Sequence, residues 1–209
     1  MKARQTTGAG LVVALIMLVM MSAGAISLVR AVSTGRLMAA NLTFRQAAVL
    51  ASDAGNEAAI EWLKTQITNA ALYIDQPAKG YYASVPDNLD ITGAQASGSG
   101  VVIDWDDNDC NNAEGLTCLK ASTPLAADAA GNVIRYAIHR LCRMAGSPQG
   151  GSNSCLMAGG SANTSSKRSS LSYGASSRFT VSTQVYYRIT VRVRGPRNTV
   201  VFTQTLAHF

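Results

Sequence analysis

From Gln5 to Val29 no side chain is ionisable, and the run that opens AGLVVALIMLVM at Ala9 stays apolar to Val29. About 20 apolar residues at ~1.5 Å rise cross a ~30 Å hydrocarbon core, so residues 9–29 are predicted to span a membrane as one helix. A short basic leader, MKARQTTG, precedes them. In a secretory signal the small-residue cleavage site follows the apolar core. Here the small residue, Gly8, comes first, and a cut at that point leaves the apolar helix on the mature chain. Lys2 and Arg4 on one side are nearly balanced by Arg30 and Arg36 on the other, so charge asymmetry orients the span only weakly. The cysteines orient it better. Cys110, Cys118, Cys142 and Cys155 all lie downstream, and an even number in one region suits an oxidising compartment. The N-terminus is expected in the cytoplasm and the bulk of the chain outside it.

The 209 residues accommodate this anchor and one domain of roughly 100–150 residues. Of 18 Lys and Arg, Lys2 and Arg4 would leave with the leader. The remaining 16 stand against 12 Asp and Glu, a mild excess that is no nucleic-acid signature by itself.

Residues 30–72 are predicted to continue the helix, being Ala-rich and free of Pro. Leu42, Val49, Ala59, Ile60, Leu63 and Ile67 recur at near-helical spacing and are expected to form its apolar stripe. Gly24, Gly35 and Gly55 each cost about 1 kcal/mol relative to Ala, which marks them as places for a bend. Asp75, Gln76 and Pro77 are expected to stop the helix. Beyond it, residues 73–209 read as a β-rich headgroup. VVIDW (101–105), VIRYAIHRLC (133–142), FTVSTQVYYRITVRVR (179–194) and TVVFTQTLA (199–207) are rich in Val, Ile, Thr and aromatics, and an antiparallel sheet is predicted. Gly195-Pro196-Arg197-Asn198 reads as the turn of a closing hairpin. Along the penultimate strand Val185, Tyr187, Ile189, Val191 and Val193 share the face expected to cover the helix. Gln184, Tyr186, Arg188, Thr190, Arg192 and Arg194 share the face expected to meet solvent or a neighbour. The stretches 92–100 and 145–178 read as polar surface loops.

Gly8, Leu11, Val12, Ala14, Leu15 and Ile16, then Met38, Ala39, Asn41, Arg45, Gln46 and Ala47 in LMAANLTFRQA, resemble the PilX family of type IV pilus assembly proteins, the minor pilins. The closing YYRITVRVRG and NTVVFTQT resemble that family's last strands. Arg36-Leu37 stands where the family has Glu-Arg, and ASDAG (51–55) replaces an Ala-Ala-Glu-Ala-Ala run, so the chain reads as a divergent member. The resemblance implies a pilin-like α+β fold: a long N-terminal helix packed on a disulfide-bearing antiparallel headgroup. It implies residues 1–8 as leader, cleavage between Gly8 and Ala9 by a prepilin peptidase, and N-methylation of Ala9. Major pilins carry Glu as the fifth mature residue; here that residue is Val13. In the family the carboxylate is thought to pair with a neighbour's amine within the membrane, where an unpaired charge is costly. A chain with Val13 cannot offer it, which suits the leading end of a filament. The type II secretion pseudopilin GspK shares the feature but carries a large helical insertion for which this headgroup has no room. The implied partners are other minor pilins, the major pilin, the inner-membrane assembly platform and membrane lipid. The implied location is the bacterial inner membrane and then the pilus at the cell surface, with roles in priming assembly or, at the tip, in adhesion.

The remaining constellations are weaker. Four cysteines allow three pairings; sequential pairing is favoured because both loops are short and turn-rich, and neither spacing suits zinc. In DWDDNDC, Asp104, Asp106 and Asn108 fall at positions one, three and five of a calcium loop. Asp109 replaces the Gly at six and Gly115 the Glu at twelve, so an exposed turn is expected and no metal is assigned. Arg188, Arg192, Arg194 and Arg197, with Lys167 and Arg168, form a basic stripe that reads as an edge guard or docking surface rather than a nucleic-acid site. Two histidines, His139 and His208, without a nucleophile or paired-carboxylate motif give no reason to expect an enzyme or a cofactor.

Overall fold

The computed structural model describes residues 7–67, 70–95, 98–112, 114–158 and 184–209. The leader residues 1–6, Lys167 and Arg168 with most of the 145–178 loop, and residues 179–183 of an expected strand lie outside them. The chain divides into two units, Met1–Gln46 and Ala47–Phe209, and one helix, α1 (Thr7–Gln66), contributes to both.

In the first unit α1 is exposed along its apolar length: Leu11, Leu15, Leu18 and Met21 are each more than half accessible. It passes without interruption through Gly24 and Gly35, around which a Cβ would meet nothing. The hydroxyls of Ser22 and Ser27 are satisfied inside the helix, donating to Val19 O and Ala23 O.

In the second unit residues 47–66 of α1 are amphipathic, and the expected stripe holds at Ala59, Ile60 and Leu63 but not at Leu42, Val49 and Ile67. Ala48, Ser52, Gly55, Ala59 and Leu63 are buried, while Leu42, Val49 and Ile67 are exposed. The seam is built from small residues because the sheet lies so close. A Cβ on Gly55 would stand 2.6 Å from Val191 Cγ1 and 2.8 Å from Ile134 Cγ2. Gly55 is thus a close-contact residue and not a bend. The helix also ends early, at Gln66, where Thr65, Ile67, Thr68 and Asn69 are weak helix formers. A separate 3₁₀ turn, Ala70–Tyr73, then carries Leu72 into the core.

The strands are β1 (Tyr81–Tyr82), β2 (Leu89–Asp90), β3 (Gly100–Asp104), β4 (Leu116–Lys120), β5 (Val133–Arg140), β6 (Met157–Ala158), β7 (Gln184–Arg194) and β8 (Val200–His208). They form a mixed arrangement where an antiparallel sheet was expected. The larger sheet is antiparallel through β5, β7, β8 and β6, with β1 parallel to β5 at one margin. A second sheet, β2–β3–β4, is wholly parallel. Parallel neighbours need a crossover of about a dozen residues, here supplied by the irregular loops 91–99 and 105–115 in place of helices. Alternation in β7 falls as read: Val185, Tyr187, Ile189, Val191 and Val193 are buried. They share one core with Ala48, Ala59 and Leu63 of α1 and with Ile134, Tyr136 and Ile138 of β5. The hairpin β7–β8 closes at Gly195, whose N–H donates to Thr199 O at 2.8 Å.

Candidate functional site: an acidic loop on the arginine face

The second face of β5 and β7, expected to meet solvent or a neighbour, is covered by other parts of the same chain. Ile103, Trp105, Ala121 and Ala137 form a further core there with Phe202, the Trp105 and Phe202 rings meeting edge to face at 5.8 Å. β3 ends in Asp104 and delivers the loop 105–112 directly onto this face. Asp104 is 2 % exposed, yet its carboxylate is fully engaged. Oδ1 accepts from the backbone N–H groups of Asp106 and Asn108 at 3.2 Å each, and Oδ2 from that of Asp109 at 2.9 Å. It therefore organises the loop from within. Such an anchor is needed because Asp107, Asp109, Cys110 and Asn111 all have φ between 50° and 57°. Asp and Asn tolerate that left-handed region better than other residues, and Cys less well. The Cys110–Cys118 disulfide ties the strained turn to β4, and Cys142–Cys155 staples the chain between β5 and β6. The bonding is sequential, and all four cysteines are oxidised.

The exposed acids of the loop meet the arginines of the sheet. Asp106 Oδ1 accepts from Arg192 Nη1 at 2.9 Å and Arg194 Nη1 at 3.3 Å; Asp107 Oδ2 accepts from Arg135 Nη2 at 2.7 Å. The hydrogen bond from Arg192 is the main cause holding Asp106 below the usual carboxylate range, and that from Arg135 does the same for Asp107. Arg135 and Arg192 stand opposite one another across β5 and β7. Like charges in that position repel, and the two carboxylates relieve them. Of the stripe read as basic, Arg192 and Arg194 thus share the carboxylate of Asp106. The oxygens read as calcium candidates serve backbone amides at Asp104 and guanidinium or ammonium groups at Asp106 and Asp109, the last 3.8 Å from Lys120 Nζ. Asn108 donates to Asn111 Oδ1. Two polar clefts flank the loop. One of about 320 Å³ is lined by Gln95, Asp104, Asn108 and Asn111, and one of about 380 Å³ by Trp105, Val133, Arg135 and Arg194. Amide and paired-charge groups of this kind suit recognition of a polar surface.

Sequence reasoning missed two buried polar groups of β5, one on each of its faces. His139 is fully buried, its ring stacked on Tyr82 at 5.3 Å and its strand partner Arg188. Neither ring nitrogen has a hydrogen-bond partner among the described residues. Burial, with a smaller contribution from Arg188, pushes its pKa down to about 3. Arg140, 1 % exposed, donates from Nε to Ala83 O and from Nη2 to Gly146 O, its guanidinium 5.7 Å from the Tyr73 ring centroid. Strand alternation places both residues, but only the covered second face explains why His139 is dry. Gly8 and Ala9, where the resemblance implies cleavage, and Val13 stand in the first turns of α1. Comparison with family models, with curated proteins and with solved structures finds no match.

Proposed function

We propose that the chain is a minor pilin that primes or promotes type IV pilus assembly, held in the inner membrane by residues 9–29 and incorporated near the filament tip. The observation that carries this reading is α1 itself. Its N-terminal part is long and apolar enough to cross a membrane and is exposed throughout, while the same helix ends as the seam of a disulfide-bonded α+β headgroup. A helix left bare over some 30 residues needs lipid or other helices around it. In this reading leader removal at Gly8–Ala9 by a prepilin peptidase lets the helix pass from lipid to a bundle of like helices. The headgroup then contacts sister minor pilins, and the work is association, not catalysis. The acidic loop and its two polar clefts support a second reading, a tip module whose loop faces a ligand.

The test is to delete the gene, complement it, and count surface filaments by electron microscopy while assaying protein secretion in the same strain. Filaments lost and restored by complementation support assembly. Normal filaments with lost export point to a type II secretion pseudopilin, and filaments present without adhesion point to the tip module.

A further inference from the structure

The guanidiniums of Arg135, Arg192 and Arg194 converge on the cleft of about 380 Å³ beside the acidic loop, and among the described residues Asp106 is the one carboxylate that lines it. The pairing is unequal. Arg192 and Arg194 bond the same oxygen, Asp106 Oδ1, at 2.9 and 3.3 Å, and Arg135 bonds Asp107 at 2.7 Å. No third carboxylate pairs with these arginines among the described residues, so three positive charges stand against two negative ones. Donors are left over as well. Arg135 Nη1 and Arg192 Nε are buried without a partner among the described residues, and the Arg194 side chain, held by the longer bond, is 55 % exposed. Strand register explains the crowding. Val133 pairs with Arg194 and Arg135 with Arg192, so alternation sets all three arginines on one face, where like charges repel. Gly131 and Gly195 line the cleft without side chains, and a Cβ on Gly131 would meet nothing within 4 Å. Val133, 38 % exposed, adds an apolar wall.

We propose that this cleft binds a small organic acid through its carboxylate, received by Arg194 and the two arginines beside it; the proposal rests on the tip-module reading above. A planar carboxylate matches the fork of guanidinium donors, and its single negative charge balances the excess. A phosphate dianion would exceed it. The rest of the chain cannot supply the acid from outside the described residues: those segments hold Lys2, Arg4, Lys167, Arg168 and Arg178 but no Asp or Glu. An acidic side chain inserted by another protein fits less well. The volume of about 380 Å³ lies within the ~300–1,000 Å³ of small-molecule sites, and a lone Asp or Glu side chain would leave most of it unfilled.

The experiment follows arginine side-chain signals by NMR in the full-length protein, detergent-solubilised and carrying isotope-labelled arginine, as glucuronate is added at constant ionic strength. Glucose is the neutral control and inorganic phosphate the dianionic one. A saturable shift of the Arg194 signals with glucuronate, absent with glucose and weaker with phosphate, is the expected result. Read at Arg135 and Arg192, Arg194→Gln should weaken binding about tenfold, the loss of one charge-assisted hydrogen bond. Arg143→Gln, outside the cleft, should leave it unchanged. Asp106→Asn should tighten it, because a competing carboxylate is removed, and a merely structural role for the arginines predicts no such opposite sign. Absence of a saturable shift overturns the proposal, as do equal shifts with glucose, tighter binding of phosphate, or weaker binding in Asp106→Asn. A Gly-Glu-Gly peptide that binds more tightly than glucuronate also overturns it, in favour of a protein partner's side chain. Adhesion assays separate the two readings. Glucuronate binding by a protein whose deletion leaves adhesion intact keeps the cleft and removes the tip role. No binding where the deletion strain loses adhesion does the reverse.

Discussion

Gly55 and His139 show how much one side chain decides in this molecule. Adding a methyl group at Gly55 would raise helix propensity by about 1 kcal/mol, but the new carbon would overlap Val191 and Ile134, both β-branched and fixed in the core. Overpacking of that kind costs about 1–3 kcal/mol. Gly55→Ala is therefore expected to lower the Tm of the solubilised protein, whereas Gly35→Ala, with open space around it, should leave it unchanged or raise it. His139 makes stability depend on pH. Its folded pKa of about 3 lies below the ordinary 6.5, so the unfolded chain binds a proton that the fold refuses. Its contribution to stability is complete above pH 6.5 and is lost as pH falls from there toward 3, by up to about 1.4 kcal/mol per pH unit. Melting between pH 7 and 4 should show this slope, and His139→Phe should flatten it. Asp106 and Asp107, whose folded pKa values are depressed, add a loss only below about pH 4.

At the scale of elements, the loop 105–112 is held by three devices of unequal strength. Asp104→Ala would strand three backbone N–H groups beneath a left-handed turn and is expected to cost several times more than Asp106→Asn, whose partly exposed ion pair is worth less than about 1 kcal/mol. Breaking Cys110–Cys118 should cost about 2.5 kcal/mol in the chain-entropy model. Tm values and proteolysis within 105–112 check the order. How legible these elements were depended on pattern. Alternation along β7 and the Gly-Pro-Arg-Asn turn were readable because period two and turn chemistry act locally. In the helix seam Ala59 and Leu63 were readable from their spacing, but Ala48, Ser52 and Gly55 were not, because hydrophobicity ranks large residues first and close approach selects small ones. The parallel sheet was also hidden, since loops without helical pattern carry its crossovers. The Asp106 and Asp107 pairs with arginines join positions some 30 to 90 residues apart, which no local spacing announces.

At the scale of the whole molecule, Val13 tests the proposed place in a filament. Val13→Glu supplies the carboxylate that major pilins, which the start of the chain resembles, carry at this position. If this chain leads the filament, the variant should enter filaments yet start fewer of them, so that filaments per cell fall while their lengths hold. Unchanged piliation counts against a leading role. The small-residue seam also bears on timing. Its sheet-side partners Val191 and Val193 sit in β7, within the last 26 residues of a 209-residue chain. At about 5–20 residues per second of synthesis, α1 emerges many seconds before β7 can complete the cover over residues 48–63. The order of manufacture thus leaves the seam of α1 without its β7 partners until the chain is nearly finished, and the closing hairpin completes its cover.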